Sequence, residues 1–385
     1  MLRHWDRQTL PELLAAHGLA GVPEEPFPND GWSGSRLTLL RRDGERFVLK
    51  RTSWAIDWIA RQTKDEALRE AFLAGGDPHL PAPLVLPYYG AAADGGGAAI
   101  LMPDLSNELI AWERPAYEPP VGRQELDRVL FALATFHLLP WREVRGTMPG
   151  YAWPWCPLRE RLTLLTRPTA AGYRDAGLPV GERFLAGWDA FDRSAPGAAR
   201  DLVASLSADP APLLDALARL PATGLHGDLK LANVALVDDG GVALIDWQMM
   251  TLAPVAVELG WLLVSNVALL PEPPDLVLER YRGIVGGAAA QTAPLRRSGW
   301  PPEVPVGPPA ERMRGDGGIQ LQTASQLLGD WEAQVDLAWI VGLLLRGWRK
   351  GLDTEADVRY PWDGDGPSDL AWWCERAVTA ADRRL

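Results

Sequence analysis

The stretch HGDLKLANVALVDDGGVALIDWQ, residues 226–248, decides how this chain folds and what chemistry it can support. It places Asp228 five residues before Asn233, and a second carboxylate, Asp246, after a short hairpin-like segment. In phosphoryl transfer from a nucleotide, one carboxylate orients the acceptor hydroxyl, while a carboxamide and another carboxylate hold Mg²⁺ on the phosphates. The order and spacing of these three side chains therefore predict a phosphoryl-transfer site.

Each of the two aspartates has a simpler explanation when it is taken alone. Asp228 could merely occupy a turn after Gly227, and Asp246 could cap the next element. The complete pattern, H-G-D-x-x-x-x-N followed by an apolar strand that ends in Ile-Asp-Trp, strongly favours chemistry over both explanations. We therefore expect Asp228 to act as the catalytic base, and Asn233 and Asp246 to bind Mg²⁺, which prefers hard oxygen ligands.

This stretch resembles the aminoglycoside phosphotransferase and choline kinase-like family, the small-molecule branch of the protein-kinase-like fold. Gly227 stands where protein kinases carry Arg, and Trp247 and Gln248 stand where they carry Phe and Gly. The resemblance is specific over residues 226–262 and looser elsewhere. It implies an ATP- and Mg²⁺-dependent transferase. The absence of an Asp-Phe-Gly motif argues against the interpretation as a protein kinase.

The resemblance also implies a bilobal α+β protein-kinase-like fold. The small β-rich lobe that binds the nucleotide would span residues 1–103, and a hinge would follow at about residues 102–107. The larger, mostly helical catalytic and substrate-binding lobe would span residues 104–385. Within it, residues 286–318 are rich in Gly, Pro and Arg, which predicts a long flexible loop.

Two lysines are candidates for contacts with phosphate. Lys50 ends the strand-like run RFVLK, where the resemblance implies an ammonium on the α- and β-phosphates, held by an acid from the next helix. We prefer Glu70 as that acid, because REAFLAG resembles the family pattern, and Glu66 remains possible. Lys230 lies two residues after Asp228 and either approaches the γ-phosphate or is a solvated loop lysine.

The turn before the first long strand is a further candidate phosphate contact. Its small residues Ser33, Gly34 and Ser35 would let backbone amides and hydroxyl groups approach phosphates closely. An ordinary β-turn has the same composition. Farther along the chain, Glu258 takes the position of a family aspartate that braces the H-G-D loop, and its extra methylene leaves the bracing geometry open.

Adenine is expected to hydrogen-bond backbone groups of the hinge. Met102 and Asp104 lie there and are the predicted contacts. Pro103 between them has no N–H and cannot be the donor. A plain turn at a strand end explains any one of these residues equally well.

The hydrophobic pattern in the rest of the chain predicts approximate positions of strands and helices. Alternating apolar residues predict strands at 36–41, 46–50, 84–89 and 98–102. A helical segment is expected between the second and third of these strands, from Ile59 to a stop at Gly75 and Gly76. Helical periodicity predicts further helices, namely at about residues 126–139, 157–166, 181–192, 202–220, 255–268, 331–345 and 368–384.

Bulk properties exclude several classes of protein. A net charge of −12 over 385 residues argues against a nucleic-acid binder, which normally presents a basic face. No apolar stretch approaches the ~20 residues that span a bilayer, and the first residues lack the apolar region of a secretory signal. We expect a cytoplasmic protein with neither a nucleic-acid nor a membrane partner; its oligomeric state cannot be read from the sequence.

The acceptor is predicted only as a class. Acidic side chains gather in the C-terminal part, where they form a set made up of Asp330, Glu332, Asp336, Asp363, Asp365 and Asp369. With the many tryptophans there, they could bind an amino group, although a solvated face and a filled core are the default interpretations. We predict a kinase of an aminoglycoside, amino sugar or amino alcohol. A non-catalytic, nucleotide-binding kinase-like scaffold is the alternative.

Overall fold

The computed structural model describes most of the chain. The ranges are 4–27, 33–76, 80–110, 121–141, 153–237, 240–290, 321–357 and 369–385. The strands are β1 (Glu25–Pro26), β2 (Arg36–Arg42), β3 (Glu45–Thr52), β4 (Leu84–Val85), β5 (Gly90–Asp94), β6 (Gly97–Pro103), β7 (Thr223–Leu225), β8 (Val234–Leu236), β9 (Val242–Leu244) and β10 (Thr251–Ala253). The predicted α+β class is confirmed.

The helices dominate the second part of the chain. They are α1 (Leu10–Ala16), α2 (Trp58–Gln62), α3 (Arg69–Gly76), α4 (Arg123–His137), α5 (Leu158–Thr163), α6 (Arg167–Asp175), α7 (Pro179–Ser194), α8 (Gly197–Ala208), α9 (Ala211–Ala218), α10 (Val255–Asn266), α11 (Pro274–Ala288), α12 (Ala324–Leu328), α13 (Trp331–Glu355) and α14 (Asp369–Arg384). None of the helices within the described ranges is long and apolar enough to cross a membrane.

An antiparallel sheet in the order β1-β2-β3-β6-β5 forms the first part of the molecule. Successive side chains of a strand point to opposite faces. Phe47 and Leu49 of β3 pack in a cluster with α1, while Val48 packs in a cluster with α3. Lys50 shares the face of Val48, and this alternation directs its ammonium toward α3.

The predicted strand at residues 84–89 is divided in the structure. Leu84 and Val85 form β4, which pairs in parallel with β9 and so belongs to a different sheet. The strand beside β6 starts only at Gly90. Pro87 lies between the two strands and has no N–H for a ladder hydrogen bond, which explains the break.

The single helix predicted after β3 is also two helices. Lys64 and Leu68, between α2 and α3, have positive φ angles of 55° and 53°, which no α-helix tolerates. The carboxylate of Asp65 accepts the backbone N–H of Arg69 at 2.8 and 2.9 Å. The second helix therefore begins at Arg69, and its second residue is Glu70.

Helix α13 is the centre of the helical part, where it packs against α7, α10 and α14. A Cβ on Gly260 would lie 2.5 Å from the carbonyl oxygen of Ala338, so glycine allows α10 to approach α13 closely. The sequence predicts this helix only to residue 345, and it runs to Glu355. Helix α11 runs to Ala288, and residues 291–320, most of the loop predicted at about 286–318, lie outside the described ranges.

Candidate active site

The H-G-D loop, residues 226–233, follows β7 and turns at Gly227. That residue has a φ of 83°, and a Cβ there would lie 1.9 Å from the carbonyl oxygen of Met249. Neither the backbone angle nor the space permits a side chain. The glycine that distinguishes this motif from the H-R-D of protein kinases is thus required by the local packing.

Glu258 braces this loop from α10. Its two carboxylate oxygens accept the backbone N–H groups of His226 at 2.6 Å and Gly227 at 3.0 Å. Burial alone would raise the pKa of Glu258, but His137 and His226 hold it below its ordinary value. The longer side chain therefore makes the bracing contact that the sequence left open.

His226 ties the loop to the hairpin of β8 and β9. Its Nδ1 accepts the backbone N–H of Asp228 at 3.3 Å, and its Nε2 lies 3.0 Å from the carbonyl oxygen of Ile245. The first bond assigns the proton to Nε2, which then donates to that carbonyl. The imidazole is therefore a structural bridge between the loop and the hairpin.

Asp228 is held through one of its two oxygens. Its side chain is only 4% exposed. Oδ2 lies 3.1 Å from Nζ of Lys230 and accepts Nδ2 of Asn233 at 3.3 Å. Among the described residues Oδ1 has no hydrogen-bond partner although it is buried. Because a buried polar atom normally has a partner, Oδ1 is the atom of this carboxylate that is available to a bound hydroxyl.

Lys50, Glu70 and Asp246 form an ionic group between the sheet and the loop, in which Lys50 and Glu70 are buried and Asp246 is partly exposed. Nζ of Lys50 lies 2.5 Å from Oε2 of Glu70 and 2.8 Å from Oδ1 of Asp246. The other oxygen of Glu70 accepts the hydroxyl of Tyr88 at 2.9 Å and the backbone N–H of Asp246 at 3.2 Å. Glu66 is exposed and takes no part. The structure thus pairs Lys50 with the preferred acid.

Lys50 and Asp246 each favour the charged form of the other. Burial would lower the pKa of Lys50, but Asp246 and Glu70 raise it above its ordinary value. Burial would raise the pKa of Asp246, and Lys50 lowers it below its ordinary value. Breaking such a pair would leave an uncompensated buried charge, which is strongly unfavourable.

Asp246 has a left-handed backbone, with φ 68° and ψ 53°. A non-glycine residue in this region costs about 1–3 kcal/mol, and such residues cluster at functional sites. The next residue, Trp247, packs its ring 4.5 Å from that of His226 and donates its indole N–H to Leu244. The Trp that replaces the Phe of protein kinases thus anchors this turn to the loop.

A cavity of about 560 Å³ joins these groups. Lys50, Asp228, Lys230, Asn233 and Asp246 all line it. The donor set fits Mg²⁺: Asp246 supplies a carboxylate, and Asn233 turns its amide nitrogen to the carbonyl and carboxylate of Asp228, leaving its amide oxygen for a cation. At the sheet end, apolar residues line the cavity, namely Leu37, Val48, Met102 and Leu105.

The predicted nucleotide-binding turn is described from Ser33 onward, and residues 28–32 lie outside the described ranges. Ser33 and Ser35 line the cavity. Gly34 lies behind them with a φ of 95°, and a Cβ there would be 2.3 Å from the carbonyl oxygen of Ile56. The hydroxyl of Ser35 donates to Asp57, which also caps α2, so this helix fixes the turn.

In the predicted hinge, Met102 and Asp104 both line the cavity. The backbone N–H of Asp104, however, already donates to the carbonyl oxygen of Arg46 at 3.1 Å, and its carboxylate lies 2.6 Å from the Arg46 guanidinium. That amide is therefore not available to adenine. The next amide along the chain, that of Leu105, becomes the candidate donor.

Sequence reasoning missed several residues that hold the site together. Arg161 is fully buried and donates from Nε to the carbonyl oxygen of Gly227 at 2.8 Å. Arg69 donates to the carbonyl oxygen of Gln248 at 3.1 Å, and Tyr88 bonds Glu70. The patterns around these residues carried no signal, because an arginine on a helix is ordinarily exposed.

The acids predicted to bind an amine lie elsewhere. Asp336 pairs with Arg383 and Arg384, and Asp369 pairs with Lys350. Asp330 caps α13. Glu332 is exposed on α13, while Asp363 and Asp365 lie outside the described ranges. None of the described acids of this set lines the cavity.

Comparison with known proteins identifies a family. The model of the phosphotransferase enzyme family, APH, matches residues 25–295, which is most of the chain. No curated protein sequence matches this chain.

Solved structures show weaker similarity. Choline kinase LicA from Streptococcus pneumoniae is 11% identical with a TM-score of 0.44, over 97% of this chain and 98% of that chain. Macrolide 2'-phosphotransferase MphH from Brachybacterium faecium is 17% identical with a TM-score of 0.39, over 96% and 97%. An aminoglycoside-3'-phosphotransferase of type VIII is 21% identical with a TM-score of 0.38, over 71% and 91%.

Proposed function

Because the chain belongs to the phosphotransferase enzyme family, we propose that it transfers the γ-phosphoryl group of ATP to a hydroxyl of a small molecule. The observation that supports this most strongly is the meeting of Lys50, Asp228, Asn233 and Asp246 along one cavity. Lys50 reaches it from strand β3, far along the chain from the loop and hairpin that carry the other three residues. Phosphoryl transfer depends mainly on such positioning and charge.

In this proposal Asp228 aims the acceptor. Its free Oδ1 accepts the hydroxyl proton as the oxygen forms a bond to the γ-phosphorus and the bond to the bridging oxygen of ADP breaks. Lys230 and Asn233 hold Oδ2 and so fix the direction of Oδ1. Lys230, which lines the cavity, would also contact the transferred group. Asp228 releases the proton to water after the product leaves.

The opposite wall would hold the nucleotide. Lys50, kept charged by Glu70 and Asp246, would bind the α- and β-phosphates. Adenine would enter the apolar end against Met102 and bond the backbone of the hinge, residues 102–107, with Leu105 as donor. Ser33, Gly34 and Ser35 would cover the phosphates. Mg²⁺, bound by Asn233 and Asp246, would neutralise phosphate charge.

The test is ATP consumption by the purified protein with hydroxylated small molecules, among them the predicted aminoglycosides, amino sugars and amino alcohols. Acceptor-dependent release of ADP that requires Mg²⁺ would support the proposal. Tight nucleotide binding without turnover of any acceptor would instead favour the non-catalytic scaffold. The amine class itself stays a prediction at this point.

A further inference from the structure

Arg161 is a fully buried cation beside the H-G-D loop. It is the fourth residue of α5, and its side chain is 0% exposed. Burial lowers the pKa of its guanidinium below the ordinary value, because the charged form loses its hydration. Its two terminal nitrogens have no hydrogen-bond partner among the described residues. Buried donors and charges of this kind cost stability, so stability does not explain why the fold holds Arg161 there.

The contacts of Arg161 lie on the catalytic loop and on the helix that braces it. Its Nε donates to the carbonyl oxygen of Gly227 at 2.8 Å. Its guanidinium lies 4.4 Å from the ring centroid of Trp261, which offers the cation an aromatic face. Trp261 follows Glu258 by three residues on α10, and residues at that spacing share one face of a helix. Arg161 is thus held where α10 meets the loop.

Gly227 is the residue of the loop that most needs such a contact. Glycine has more backbone freedom than any other residue, and here it adopts a φ of 83°. Glu258 accepts the N–H of Gly227 at 3.0 Å, and Arg161 donates to its carbonyl oxygen at 2.8 Å. Because both polar groups of this glycine are bonded, its two torsion angles are fixed between α10 and α5.

The carbonyl that Arg161 binds belongs to the peptide group between Gly227 and Asp228. A peptide group is planar, so its carbonyl and its N–H turn together. At the other end of this group, the N–H of Asp228 donates to Nδ1 of His226 at 3.3 Å. Arg161 makes the shorter of the two bonds. Together they fix the plane from which the Cα and side chain of Asp228 extend.

Arg161 also acts on Asp228 through its charge. Among the charged groups that favour the protonated guanidinium of Arg161, Asp228 has the largest effect. Such an attraction acts on both partners, and burial of both side chains leaves it weakly screened by salt. Arg161 therefore bears on the catalytic carboxylate in two ways, through the backbone and through space.

We propose that Arg161 is a positioning residue for phosphoryl transfer, which sets the aim of Oδ1 of Asp228 by fixing the carbonyl of Gly227. This rests on the phosphotransferase proposal above. Arg161 is not among the residues that line the described cavity, so it acts on the acceptor only through Asp228. Its loss should therefore slow the transfer step without weakening the binding of ATP.

The first test replaces the cation with an apolar side chain of similar length. Arg161→Met should lower kcat about 100-fold with the best acceptor, the loss expected when a reacting group is misplaced by about 1 Å. The KM for ATP should stay within about twofold. The urea midpoint should equal that of wild type or exceed it, because the variant removes a buried charge with unpartnered donors. Arg159→Met, at an exposed position of the same helix, is the control and should match wild type throughout.

The second test restores the charge. Arg161→Lys keeps a cation and a donor for the carbonyl of Gly227, so its kcat should recover to within about 10-fold of wild type.

Three results would overturn the proposal. A wild-type kcat in Arg161→Met removes the positioning role and leaves the phosphotransferase intact. A loss of kcat that comes with a lower urea midpoint, and without recovery in Arg161→Lys, describes a purely structural residue and also leaves the phosphotransferase intact. Wild-type protein that binds nucleotide but turns over no acceptor overturns the phosphotransferase and the positioning role with it.

Discussion

The two walls of the cavity hold their charges in different ways. On the sheet side, Lys50, Glu70 and Asp246 are bonded to one another at 2.5 and 2.8 Å, so each charge has a partner before any ligand arrives. On the loop side, Asp228 keeps Oδ1 buried without a partner among the described residues. The first arrangement suits a group that binds, and the second suits a group that acts on the acceptor.

The largest effect should come from the unpartnered carboxylate. Asp228→Asn keeps the shape but removes the proton acceptor, so turnover should fall by about 10²–10⁴-fold. The measurement is the rate of ADP release with the best acceptor. Asp201→Asn, at an exposed position on α8, should behave like wild type. A variant at position 228 with nearly full activity would remove the distinction between the two walls.

The backbone of the loop that carries Asp228 should also be sensitive to substitution, and this sensitivity should appear in the stability of the fold. Gly227→Ala places a Cβ against Met249 at a left-handed φ, and we expect a loss of about 3 kcal/mol in the free energy of unfolding. Gly44 is the matched control, with a φ of 86° and nothing within 4 Å of a Cβ. Gly44→Ala should cost about 1 kcal/mol. Urea denaturation measures both, and equal losses would show that the contact with Met249 is unimportant.

A smaller effect is expected on the sheet side. Glu70→Gln leaves Lys50 with Asp246 as its remaining charged partner, and the KM for ATP should rise about 10-fold with a smaller change in kcat. The neighbouring exposed acid provides the control, since Glu66→Gln should alter neither constant. Steady-state kinetics at varied ATP concentration distinguishes the two variants. A rise for the control variant instead would mean that the ion pair changes on binding.

The effect expected at the brace under the loop depends on pH. The pKa of Glu258 is lowered from its ordinary 4.5, so its ionised form stabilises the fold fully above about pH 4.5. This contribution is lost as the pH falls through the lower folded-state pKa. Glu258→Gln should therefore lose about 1–3 kcal/mol at pH 7, and the gap to wild type should narrow by pH 4. A gap that does not change with pH would mean that ionisation is irrelevant to the brace.

The sequence predicted the part of the site that is made by residues close together in the chain, and it missed contacts between residues far apart in the chain. Asp228, Asn233 and Asp246 lie within one motif, so their spacing alone brought them together. Arg161 and Tyr88 were invisible because their partners, the carbonyl of Gly227 and the carboxylate of Glu70, are brought close only by tertiary packing.

The errors in secondary structure have a related cause. Residues 84–89 have the composition of a strand, yet only Leu84 and Val85 pair, with β9, and the strand beside β6 starts at Gly90, after Pro87. The predicted amine-binding role of the C-terminal acids has a similar cause, because it relied on composition and not on which side chains pair. Arg383 and Arg384 pair with Asp336, and Lys350 pairs with Asp369, so those carboxylates are engaged away from the cavity.

The most direct test of the two-wall account is calorimetric titration with a non-hydrolysable ATP analogue and Mg²⁺, since it needs no acceptor. Asp228→Asn should bind with a Kd within about threefold of wild type, and Asp246→Asn should bind about 10-fold more weakly or worse. Chelation of Mg²⁺ should bring wild type and Asp246→Asn together. Equal weakening by both variants, or wild-type affinity in Asp246→Asn, would contradict the account.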